Sequence, residues 1–151
     1  MGTLLLIVAG FGWGKPVPFN PYNLKHPKRD SALIALAGPA SNFALAIVLA
    51  LMLKGLVLYV PSQLLIYFLH PFFFLTILYN LVLGVFNLIP IHPLDGFRIV
   101  NGLLPDDLSF QWLQMAPYGI YILLLLIITN TTDKLINPVI SFAANLLGLS
   151  F

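Results

Sequence analysis

Phe86-Asn87-Leu88-Ile89-Pro90-Ile91-His92-Pro93-Leu94-Asp95-Gly96 closes a long apolar run with an acid, an imidazole and two prolines. Proline lacks an amide hydrogen and clashes with the carbonyl four residues back, so Pro90 and Pro93 end the helix that enters from Leu64. Backbone freed from a helix at membrane depth is tolerated only inside protein or against a water-filled cavity. An ionised carboxylate there costs about 2.5–3.5 kcal/mol on insertion scales and by default marks a functional site. Asp95 is therefore the residue to explain. Its plain reading is an ion pair with Arg98, three residues on, if helix resumes at Gly96.

The composition supports membrane depth. Of 151 residues, 60% are hydrophobic and 8% charged, against roughly 25% charged in an average soluble domain, and the mean hydropathy is +0.97. The expected fold class is all-α: a polytopic membrane helix bundle with a proline-broken helix at the site. The net charge of +2 rests on seven Lys/Arg and five acids, too scattered for a nucleic-acid footprint. Cysteine is absent, which removes disulfides and thiolate metal sites. All five acids are aspartate, and there is no glutamate.

Read outward, the chain forms one transmembrane domain. Residues 1–13 are apolar but about half the roughly 20 residues that a bilayer crossing needs. Basic residues follow this segment rather than precede it, which favours a partial helix over a signal peptide. Residues 14–31 form a proline-rich loop with Lys15, Lys25, Lys28 and Arg29, four of the seven Lys/Arg. The opposite connection, Pro61-Ser62-Gln63, has none, so the positive-inside rule makes the first loop cytoplasmic. His26 reads as a solvated loop histidine. Spans are expected over residues 32–60, 64–91 and 110–129, with a short apolar segment at 138–151 lying at an interface or packing as a half helix. Residues 96–109 are the cytoplasmic return, with Pro105-Asp106-Asp107 as a helix start.

Two stripes face inward. Gly38, Asn42, Ala46 and Ala50 fall four apart, and Asn80, Gly84 and Asn87 fall four and three apart. Small residues on one face let membrane helices approach closely. Asn42 can cap, bridge helices or face a site, packing being the plainer role. Lys54 snorkels toward the far interface. On a continuous helix His70 lies of the order of 30 Å from His92, too far to share a metal.

Asn87-x-x-Pro90 followed by Leu94-Asp95-Gly96 resembles the NPxDG-type signature of site-2 proteases, a family of intramembrane zinc metalloproteases. Phe11 to Pro18 with Asn20-Pro21, the stretch Asn23 to Asp30, and Ala37-Gly38-Pro39-x-x-Asn42 are similar to successive segments of that family in the same order. The resemblance covers about the first two thirds of the chain. It implies that Asp95 is a zinc ligand beside two histidines of an HExxH helix, whose glutamate is the general base. Zinc then holds a water whose pKa it lowers toward neutrality. The resemblance also implies that Asn87 stabilises substrate or oxyanion, and that Gly38 and Asn42 support helix packing beside the site.

The departures from that family are specific. Without glutamate or a His-x-x-x-His pair, this sequence holds neither the base nor two of the three ligands. One zinc ion is expected only when an HExxH segment is present, and family members carry it upstream of the part matching Met1. The expectation is a start at an internal methionine, leaving an inactive C-terminal portion. Gly14 replaces a common alanine, and His92 a common proline. His92, even with His26, makes a poor substitute ligand because Pro93 spoils its helical spacing to Asp95; hydrogen bonding to Asp95 is the expected role. The implied function is hydrolysis of peptide bonds in transmembrane protein substrates. The partners are the lipid bilayer and such substrates; the setting is a prokaryotic plasma membrane, with the site toward the cytoplasm. The alternatives are a non-catalytic module that binds transmembrane helices, or a channel or transporter fragment. The latter calls for a second broken helix in a matching position, and the sequence shows a single break.

Overall fold

The computed structural model describes residues 24–60 and 62–148, without the side chains of 64–66. The expected partial helix 1–13 and the first part of loop 14–31 lie outside the described residues. Within them the chain is all-helical: α1 Pro27–Tyr59, α2 Gln63–Asn87, α3 Asp95–Leu103, α4 Asp106–Gln114, α5 Ala116–Ile128 and α6 Thr131–Leu146. Pro27–Tyr59 and Tyr67–Asn87 are each long and apolar enough to cross a membrane, and α4 with α5, bent by 60°, qualify together as one further broken span.

Helix α1 starts at Pro27, inside the stretch read as loop, and runs for 33 residues. The reason is local. Proline at the first helical position forfeits a donor that would have no intrahelical partner, and the Asp30 carboxylate accepts the His26 N–H at 3.0 Å. Pro39 sits inside the helix and is buried. Pro71 likewise lies within α2. Single prolines are thus carried through both helices, whereas the Pro90/Pro93 pair is not.

The small-residue stripe of α1 builds the core. Ala46, Ala50 and Leu53 pack with Ile77 and Leu81 of α2 and Ala144 of α6. Lower on the same pair of helices, a Cβ on Gly84 would stand 2.8 Å from Phe43 Cε1, so the aromatic ring fills the space the glycine leaves. Helix α6 contributes Thr132, Ile136, Ile140 and Ala144, spaced four apart on its buried face. It therefore begins before the expected 138–151 segment and carries Pro138 within it. The outward faces expose large apolar side chains such as Leu51, Leu58, Phe68 and Leu125, which suits contact with acyl chains rather than water.

The third expected span is two helices. A bend at Met115 separates α4 from α5, and Pro117 lies in the first turn of α5. Helix α2 ends at Asn87, four residues short of the expected 91. Its last turn tightens, with Leu88 N–H donating to Val85 O and Ile89 N–H to Phe86 O, both at 3.1 Å. The chain then turns, Leu94 N–H reaching Ile91 O at 2.8 Å, and the His92–Pro93 bond is cis. Helix resumes at Asp95.

Gly96 explains how the chain doubles back. A Cβ there would collide with the Leu88 and Ile89 carbonyls, so the first turn of α3 lies directly on the end of α2. From this point α3 runs antiparallel to the opening turns of α1: Asp95 stands by Gly38, Gly102 by Ala32, and Leu104 by Lys28.

Two substitutions to alanine test this packing. Gly96→Ala drives a methyl into fixed backbone and should destabilise the protein by about 1–3 kcal/mol or more. Gly55, in α1, has nothing within 4 Å of its Cβ position; Gly55→Ala should be neutral or stabilising by up to about 1 kcal/mol. Thermal unfolding in detergent micelles reads both, and a Gly96→Ala midpoint equal to wild type would refute the close approach.

Candidate functional site

The site forms where the two ends of the helix break meet. Asn87 is the last residue of α2 and Asp95 the first of α3. The seven intervening residues return on themselves because Gly96 accepts the Leu88 and Ile89 carbonyls where a side chain would stand. Both polar side chains are half-buried. Asp95 also sits in the first turn of its helix, where free amides and the positive end of the helix dipole favour a carboxylate.

Gly38 determines what Asp95 faces. A Cβ on Gly38 would lie 3.0 Å from Asp95 Oδ2, tighter than ordinary contact, so the missing side chain makes room for the carboxylate against α1. The small-residue stripe thus has two uses along its length. At Ala46 and Ala50 it packs helices; at Gly38 it admits an acid.

His92 faces the other way. Its ring meets Phe97 edge-on at 5.6 Å, and Phe97 stacks on Trp112 at 5.0 Å. The indole N–H of Trp112 donates to Phe97 O at 3.0 Å. The His92 backbone packs on Gly119 of α5 so closely that a Cβ on that glycine would overlap the His92 carbonyl oxygen. An apolar cleft of about 110 Å³ lies here, walled by Ile91, His92, Trp112, Met115 and Ile122 among others. No hydrogen bond joins His92 to Asp95 among the described residues. The expected support of Asp95 by His92 is therefore corrected: the imidazole meets Phe97 of α3, whose ring stacks on Trp112 of α4, while the carboxylate lies against α1.

The other histidines are remote. His26 precedes α1 by one residue, twelve positions from Gly38, or about 18 Å along a helix. His70 stacks on Phe74 at 6.2 Å in α2, seventeen positions and about 25 Å from Asn87. Among the described residues no three His, Cys, Asp or Glu side chains come together as a metal site. At the break the described residues therefore present one carboxylate, Asp95, and do not by themselves fit a complete zinc centre.

The polar residues of the second stripe divide. Asn80 Nδ2 donates to Thr76 O of its own helix at 2.8 Å and is satisfied there, which leaves Asn87 as the stripe's member at the break. Three features were not singled out from sequence. Trp112 and Gly119 lie within the uncharged stretch read as the third span, although an isolated glycine in such a run is a signal of close approach. Lys28 was counted only as loop charge. Its ammonium donates to Leu104 O and, at 2.8 Å, to Asp106 Oδ1.

Comparison with known proteins places the break within a known family. The family model for Peptidase family M50 matches residues 52–128, which contain α2, the break and α3 to α5. The chain is 37% identical over 142 residues to "Putative zinc metalloprotease YwhC" of Bacillus subtilis, covering 93% of this chain and 65% of that protein. It is 38% identical over 86 residues to "Zinc metalloprotease MJ0392" of Methanocaldococcus jannaschii, covering 57% of this chain and 23% of that protein. The chain thus spans less than two thirds of the length of either relative. No solved structure matches it. With the matched region centred on the Asn87 to Gly96 break, the chain belongs to peptidase family M50, the site-2 protease family.

Proposed function

We propose that this chain is part of an intramembrane zinc metalloprotease that hydrolyses peptide bonds in transmembrane segments of other proteins. In this reading Asp95 is one metal ligand, and Asn87 is the amide that steadies substrate or a developing oxyanion. The observation that supports it best is the Asp95 carboxylate, seated at a helix break with a glycine cleared for it on α1. The relatives' names supply the chemistry, since both are called zinc metalloproteases. The remaining ligands and the general base would come from outside these 151 residues, which contain no glutamate.

Gly96 and Gly38 fix the carboxylate between the end of α2 and the flank of α1. Asp95 is half-buried between these elements, and the lower dielectric there strengthens whatever interaction it makes. The basic residues Lys25, Lys28 and Arg29 at the start of α1 support a cytoplasmic orientation for that end. Relatives from a bacterium and an archaeon are consistent with a prokaryotic plasma membrane.

A second reading, a module that binds transmembrane helices without cleaving them, is favoured by one observation: the described residues assemble no three-ligand cluster. Zinc content separates the two. In the full open reading frame, purified in detergent, Asp95→Ala should abolish bound zinc and proteolysis of a membrane-embedded reporter. Asn87→Ala should retain zinc yet lower kcat by about 10²–10³, the usual loss for one oxyanion donor. Gly38→Val, which crowds the carboxylate, should lower zinc affinity by about tenfold or more while the protein still folds. A full frame that binds no zinc would leave the non-catalytic module standing.

A further inference from the structure

Helix α3 is fastened to α1 at three levels. At its first residue the Asp95 carboxylate fits beside Gly38, and near its end Gly102 stands against Ala32 with no room for a side chain. Just past its last residue the Lys28 ammonium donates to Leu104 O, and in the same place to Asp106 Oδ1 at 2.8 Å. The two glycine contacts are fits of shape: they set how near the helix axes lie. A hydrogen bond to a particular carbonyl also sets where one helix stands along the other. Lys28 supplies that directional contact to α1, whereas the Trp112 bond to Phe97 O ties α3 to α4. Because Asp106 opens α4, one ammonium joins the end of α3, the start of α4 and the first turn of α1.

We propose that Lys28 is a positioning residue for Asp95: it fixes the register of α3 on α1 and thereby holds the carboxylate beside Gly38, ten residues and about 15 Å up the helix. The functional consequence rests on the reading of Asp95 as a metal ligand; the positioning itself does not. The Lys28 side chain is 29% exposed and that of Asp106 97%. This end of the fastening is therefore reached by water and ions, and its charge–charge part weakens with ionic strength.

The absence of cysteine makes the test clean. Asp95→Cys introduces a single thiol at the site, and Gln63→Cys places one in the exposed polar connection at the other end of α1. Maleimide labelling of the chain in lipid nanodiscs is then compared with Lys28, Lys28→Met and Lys28→Arg. Lys28→Met should speed labelling of the Asp95→Cys thiol about tenfold, as expected for loss of hydrogen bonds to a charged group. Lys28→Arg, which keeps the donor and the charge, should reverse most of that increase. Labelling of the Gln63→Cys thiol should not change. Equal rates at the Asp95→Cys position with and without Lys28, or a parallel rise at the Gln63→Cys position, would overturn the proposal. In the full open reading frame Lys28→Met should also weaken zinc retention. If Asp95→Ala left zinc content untouched while the labelling results held, the ligand reading would fall and the positioning would stand.

Discussion

Everything in this structure follows from one constraint: a polypeptide inside a bilayer must satisfy its own backbone hydrogen bonds. The long helices do so trivially. The seven residues between α2 and α3 cannot, and their solution is compact. The last turn of α2 tightens, Ile91 O takes the Leu94 amide, and the first turn of α3 is laid back on the Leu88 and Ile89 carbonyls. The irregular segment is thereby braced by its own flanking helices, with Leu94 buried and Leu88, Pro90 and Pro93 on the outside. A carboxylate at the start of α3 is tolerable because it arrives with a helix N-terminus behind it.

The glycines are the means by which this bracing is achieved. Gly96 permits contact with α2, Gly38 and Gly102 with α1, and Gly119 lets α5 press on the His92 backbone. Each is a place where one added methyl would meet backbone, a carboxylate or a Cβ. Without a hydrophobic drive between helices in lipid, such close fits and a few polar contacts carry the association. The ammonium of Lys28 and the indole of Trp112 are two of those polar contacts, one on each side of α3.

Much of this was legible in the chain. Composition gave the membrane bundle, the spacing of Ala46 and Ala50 gave the core face, and Pro90 with Pro93 gave the break. The start and end of helices were harder. Pro27, one of several prolines in a loop-like stretch, opens α1 because a helix start is the one place where its missing donor costs nothing. Pro39 and Pro71 lie inside helices that simple proline rules would have broken. The direction of His92 was not legible at all, because a residue in a non-helical turn has no periodicity from which its facing can be read. Lys28 was hidden for a different reason: its partners, Leu104 and Asp106, lie more than seventy residues away, and no local pattern records such a contact.

The length of α1 carries a last consequence. Thirty-three residues make a rod of about 50 Å, while the hydrocarbon layer it crosses is about 30 Å thick. Such a helix meets changes in bilayer thickness by tilting. Since α3 rides on the lower turns of α1, the depth at which Asp95 lies is coupled to that tilt. Acyl-chain length thus becomes a variable that sets the height of the Asp95 carboxylate within the membrane.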